Sequence, residues 1–115
     1  MTDSECIFCK VINKEIKSDI LFEDADMIVF KDIRPKARIH LLIVPKKHIT
    51  AFSEIKEEDS ELIGKLMLKT KEIAEEQGIS ESGYKVVINS GKEGGQIIFH
   101  LHIHLLGGEP LLGVV

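Results

Sequence analysis

Three histidines alternate with apolar residues in His100-Leu101-His102-Ile103-His104-Leu105-Leu106, and they are three of the five histidines in the chain. Imidazole is the side chain best suited to act near neutral pH as nucleophile, proton carrier or metal ligand. A β-strand sends successive side chains to opposite faces, so a strand here lines one face with all three imidazoles. Leu101, Ile103 and Leu105 then fill the other face. A single histidine on an apolar strand is ordinarily a core residue satisfied by a hydrogen bond. A row of three needs three buried partners or a polar cavity. Same-face neighbours have Cα atoms about 6.5–7 Å apart, whereas a tetrahedral zinc holds its nitrogens at about 2.0–2.1 Å. Two such histidines can converge on one metal, but three on a straight strand do so poorly. The row points to division of labour along a cavity.

Other residues of chemical interest lie upstream. Cys6 and Cys9 have the spacing of a metal-binding pair, which supplies two ligands only; a redox pair or two incidental thiols read equally from the spacing. His40 sits in an apolar run and His48 follows Pro45-Lys46-Lys47. Asp32 precedes Ile33-Arg34-Pro35, where an aspartate is also an ordinary turn residue. The glycines of Gly94-Gly95-Gln96 can bring backbone N–H groups close to an anion, or serve as a flexible connector.

The elements that must position these residues follow from periodicity. Apolar residues at 7, 8, 11, 12 and 16 predict a helix over about Cys6 to Glu15. Ile20-Leu21-Phe22 and Met27-Ile28-Val29-Phe30 flank an acidic turn and read as a hairpin. Ile39 to Val44 is a central strand stopped by Pro45. From about Glu57 to Gln77, positions 62, 63, 66, 67, 73 and 74 trace one helical stripe, with Gly78 as its C-terminal cap. Tyr84 to Asn89 and the histidine segment complete the strands, and Gly107-Gly108 ends the last. The expected fold is α+β, a five-stranded antiparallel sheet with two helices.

At 115 residues the chain is expected to form one domain, 1–115. A net charge of −4 leaves no basic footprint for nucleic acid. No segment has the roughly 18–20 apolar residues of a membrane span, and the polar, acidic N-terminus is unlike a signal peptide. Two cysteines suit a reducing compartment, so a cytoplasmic location is expected.

The triad segment resembles that of the histidine triad nucleotide-binding family. Ile7-Phe8, Lys14-Glu15-Ile16, Phe22-Glu23-Asp24, Phe30-Lys31-Asp32-Ile33, Val44-Pro45-Lys46-Lys47-His48 and Gly94-Gly95-Gln96 resemble its other motifs in the same order. Leu105-Leu106-Gly107-Gly108 is similar to the branch of nucleoside phosphoramidases.

The resemblance implies a homodimer with joined sheets that binds and hydrolyses a purine nucleotide or nucleoside phosphoramidate. It assigns His102 as the nucleophile that forms a nucleotidyl-histidine intermediate, His104 as its phosphate-contacting neighbour and His40 as a buried partner. It makes Asp32 the ribose-binding acid and Ile7, Phe8, Phe30 and Ile33 the walls of the base pocket. Asn89, Gly95, Gln96 and Ile97 fall on the phosphate-binding part. Cys6, Cys9, His48 and His100 match a structural zinc set found in some members. Ile97 departs from the branch, which commonly carries a polar residue there, and Glu109 stands where arginine is frequent. A nucleotide-binding regulatory module with negligible turnover, a dinucleoside polyphosphate hydrolase and a metal hydrolase are the alternatives.

Overall fold

The computed structural model describes residues 5–112. Strands β1 (Ile20–Glu23), β2 (Met27–Lys31), β3 (Ile39–Pro45), β4 (Tyr84–Val87) and β5 (Ile103–Gly107) form one antiparallel sheet in the order β1-β2-β3-β5-β4. Helices α1 (Ile7–Ile12) and α2 (Ser60–Glu76) pack on it. The hairpin is closed by Asp24, whose Oδ1 accepts the N–H groups of Asp26 at 2.8 Å and Met27 at 2.9 Å.

Alternation along the strands gives the sheet two apolar faces. Met27, Val29, Leu41, Ile43, Ile103 and Leu105 bury one face against Leu66, Ile73 and Ala74 of α2. Ile28, Phe30, Leu42 and Val44 bury the other beneath Cys6, Phe8, Cys9 and Val11. A sheet covered on both faces explains why β2 and β3 read as continuous apolar runs. Two helix boundaries differ from the periodic expectation. α1 ends at Ile12 because Lys14 turns the chain at φ 64°. α2 begins at Ser60 after a 3₁₀ turn over Glu57–Asp59, and Met67, expected on its buried stripe, is 41% exposed. Gly78 ends α2 at φ 74°, as expected of a C-terminal cap.

The sheet also corrects the picture of the triad. β5 starts only at Ile103, so His100 and His102 precede the strand. The ladder with β3 stops at the pair Ile43–Ile103. Pro45, beyond it, has no N–H to offer, and its carbonyl accepts instead from the His100 side chain, Nε2···O 2.8 Å. The Leu101 N–H turns away to the Ile49 carbonyl. The three imidazoles therefore do not form one row. β4 is likewise shorter than expected, ending before Ile88 and Asn89.

Candidate active site

An open cleft of about 950 Å³ lies on the α1 face of the sheet, and His40, His102 and His104 line it. His102 is 7% exposed, and its Nδ1 lies 2.7 Å from the His100 carbonyl. A carbonyl only accepts, so Nδ1 carries the proton and the nitrogen left for chemistry is Nε2, with its lone pair. The Phe8 and His102 rings pack nearly perpendicular to each other, centroids 4.9 Å apart. Burial pushes the His102 pKa down, outweighing the opposite pull of the His100 carbonyl, and so favours the neutral ring.

His104 follows two residues later on the same face, its ring 4.8 Å from that of His102. Its Nδ1 lies 2.9 Å from Nε2 of His40, which is also 3.3 Å from Asp32 Oδ2. Burial, with the neighbouring His102 and His40, lowers the His104 pKa to about 4. Burial also lowers that of His40, and the Asp32 carboxylate opposes the shift.

His104 thus links stability to pH. An unfolded histidine takes its proton near pH 6.5, whereas folded His104 takes it near 4. Its contribution to stability is present above pH 6.5 and is lost as pH falls towards 4. Thermal melts between pH 7 and 4.5 should show wild type losing more Tm than His104→Asn. Parallel pH profiles for the two proteins would contradict the assignment.

A separate cluster forms where α1 meets the β3 exit. The ligand atoms of Cys6, Cys9, His48 and His100 all lie within 4.8 Å of one another. Cys6 Sγ is 3.3 Å from His100 Nδ1, and Cys9 Sγ is 3.3 Å from His48 Nδ1 and 3.5 Å from His100 Nδ1. Bonds of about 2.3 Å to sulfur and 2.0–2.1 Å to nitrogen give tetrahedral edges near 3.5 Å, so the spacing fits. The Pro45 carbonyl holds the His100 proton on Nε2 and directs the Nδ1 lone pair towards the thiols, as ligating histidines require. No disulfide joins Cys6 and Cys9. The four residues can hold a metal ion.

The remaining expected site residues divide. Ile7, Phe8, Phe30, Asp32, Ile33, Asn89, Gly95 and Ile97 line the cleft. Ile33 and Ile97 are 86% and 83% exposed, which rules out a core role for either. Asp32 bears out the turn reading, since Oδ1 accepts the Arg34 N–H at 2.8 Å, while Oδ2 lies 3.3 Å from His40 Nε2. Gln96 does not line the cleft. Its buried amide braces the loop, accepting from Gly91 N–H at 2.8 Å and donating to the Thr50 and Ile98 carbonyls. The Gly-Gly run is also a turn rather than an anion nest. The N–H groups of Gly94, Gly95 and Gln96 are bonded to the carbonyls of Gly91, Lys92 and Gly91. A Cβ on Gly94 would meet the Ser90 carbonyl oxygen, so this turn requires glycine there.

Sequence reasoning did not single out Ile16, Lys36, Val87 or Leu106 as cleft residues. Nor did it find the His100 and Pro45 carbonyls that set the two tautomers. Main-chain groups are common to every residue type and leave no compositional signal.

Several known proteins are similar to this chain in sequence and in fold. A family model described as scavenger mRNA decapping enzyme C-term binding matches residues 5–110. Protein HitA of Neisseria gonorrhoeae is 49% identical over 102 residues, 89% of this chain and 94% of that protein. The purine nucleoside phosphoramidase of Escherichia coli K12 is 41% identical over 107 residues, 93% and 90% of the two chains. A solved HIT family hydrolase from Legionella pneumophila superposes with TM-score 0.91 at 44% identity, covering 93% of this chain and 96% of that one. A histidine triad protein from Clostridium difficile superposes with TM-score 0.94 at 36% identity over the full length of both. The chain belongs to the histidine triad (HIT) family.

Proposed function

We propose that this protein hydrolyses purine nucleoside phosphoramidates by attack of His102 on the α-phosphorus. The observation that carries this reading is a buried imidazole held by a main-chain carbonyl. Its Nδ1–H is anchored on a carbonyl, and its Nε2 is the nitrogen available to an open cleft. The name of the Escherichia coli relative supports the substrate class. In the first step the Nε2 lone pair forms a bond to phosphorus, the P–N bond breaks, and the amine leaves with a proton from solvent. Water then attacks the nucleotidyl-His102, releasing nucleoside monophosphate and restoring the lone pair. Ile7, Phe8, Phe30 and Ile33 supply apolar walls for the base, and the Asp32 carboxylate is placed to accept from ribose hydroxyls. Rapid-quench labelling with a nucleotide substrate tests the reading. A transient adduct on His102 is expected; turnover without any adduct would overturn it, and binding without turnover would favour a regulatory module.

The Cys6, Cys9, His48 and His100 set is proposed to hold zinc, which when bound would cross-link the start of α1 to the chain that leaves β3 and the chain that enters β5. A homodimer through β4 is also proposed. β4 is an edge strand, and Tyr84 and Val86 on it are 37% and 43% exposed.

Ile97 carries a prediction about leaving groups. It lines the cleft with an exposed side chain that can neither donate nor accept a proton. Positioned proton transfer contributes roughly 10²–10⁴-fold, and poor leaving groups such as alkyl amines need that proton. Ile97→Ser should raise kcat for alkylamine phosphoramidates by about tenfold or more, with much less change for a phenolate leaving group. An equal change for both substrate types would remove Ile97 from the leaving-group side.

A further inference from the structure

We propose that Lys36 is a positioning residue whose backbone N–H fixes the proton positions of both His40 and His104. The Lys36 N–H donates to His40 Nδ1 at 3.0 Å, and an amide N–H cannot accept. His40 Nδ1 must therefore present a lone pair, which places the ring proton on Nε2. That Nε2–H faces His104 Nδ1 at 2.9 Å, so Nδ1 of His104 must in turn accept, and the His104 proton is on its own Nε2. That main-chain donor at Nδ1, together with Asp32 Oδ2 at 3.3 Å from the same ring's Nε2, thus sets two imidazoles. The outcome is complementary to His102: side by side the cleft holds one ring with an Nε2 lone pair and one with an Nε2–H. The first can attack phosphorus, and the second can donate to a phosphoryl oxygen as its charge grows.

The same lock separates Asp32, His40 and His104 from the cysteine cluster, although their ligand atoms also lie within 4.8 Å of one another. A metal at His40 Nε2 would have to displace a proton that the Lys36 amide prevents from moving to Nδ1. His100 is the opposite case, because the Pro45 carbonyl keeps its proton away from the thiols. The loop that aims the Lys36 amide is tied on both sides. The Arg34 N–H donates to Asp32 Oδ1 at 2.8 Å, and the Arg38 N–H to Glu109 Oε2 at 2.7 Å.

The kinetic consequence rests on the nucleotide-hydrolase reading, whereas the tautomer is observable without it. Ring ¹⁵N spectra of wild type at pH 7 should show His40 and His104 protonated on Nε2. Lys36→Pro deletes the N–H, while Lys36→Ala keeps it and serves as the reference for loss of the side chain. The proline variant should populate both His104 tautomers and show kcat about tenfold or more below the alanine variant, with KM changed little between them. Should Lys36→Pro not fold, an amide-to-ester replacement at residue 36 removes the N–H alone and is read in the same way. An Nδ1-protonated His104 in wild type, or matching spectra and kcat with and without the N–H, would overturn the proposal. Absence of turnover in wild type would defeat the hydrolase reading and leave the spectra to decide the lock.

Discussion

His102→Ala should bind nucleoside monophosphate within a few-fold of wild type and lose turnover by about 10⁴-fold or more. The loss is large because the ring supplies the only protein atom proposed to bond to phosphorus, and each tenfold in rate is about 1.36 kcal/mol of barrier. Binding should survive because the cleft residues proposed as base walls, Ile7, Phe8, Phe30 and Ile33, lie on other elements. Alanine also leaves a cavity against Phe8, whose ring packs nearly perpendicular to that of His102. His102→Gln, closer in volume, therefore provides the check on packing and should be as inactive. Calorimetric Kd, Tm and kcat on the same preparations decide the matter. A folded variant of either type that retains more than about a tenth of the wild-type rate would defeat the nucleophile assignment.

Removing the metal should cost the fold more than any single surface change. Elemental analysis of reduced, tag-free protein prepared without chelator is expected to find about one zinc per chain. Binding free energy at a closed structural site is folding free energy. Cys9→Ser or exhaustive chelation should accordingly destabilise by about 3 kcal/mol or more, lowering Tm by roughly 10 °C. The effect should reach the cleft. α1 has only six residues, too few to persist as an isolated helix, and it carries Cys9 together with the cleft residues Ile7 and Phe8. Nucleotide affinity should fall in parallel with metal content. Metal-free protein with an unchanged Tm and unchanged nucleotide Kd would show that the four side chains are a hydrogen-bonded cluster and no more.

The strand and helix pattern of this protein is written in its side chains. The Asp24 turn, the doubly buried runs of β2 and β3, the α2 stripe and the cap at Gly78 all appear as spacing, because burial acts on side chains with periods of 2 and 3.6. The residue types able to attack phosphorus or hold zinc were legible too, together with the motifs shared with the HIT family. Tertiary structure decided how each of those residues is placed. It separated His100 from His102 and His104, since Pro45 ends the ladder that would have kept them in one row. It turned Gln96 and the N–H groups of the Gly-Gly run inward to close a loop, and it left Ile97 exposed in the cleft. Above all it set the imidazole protons, through the carbonyls of His100 and Pro45 and the amide of Lys36. Those partners are main-chain atoms, which nearly every residue type supplies alike, and only the path of the chain in space distinguishes them.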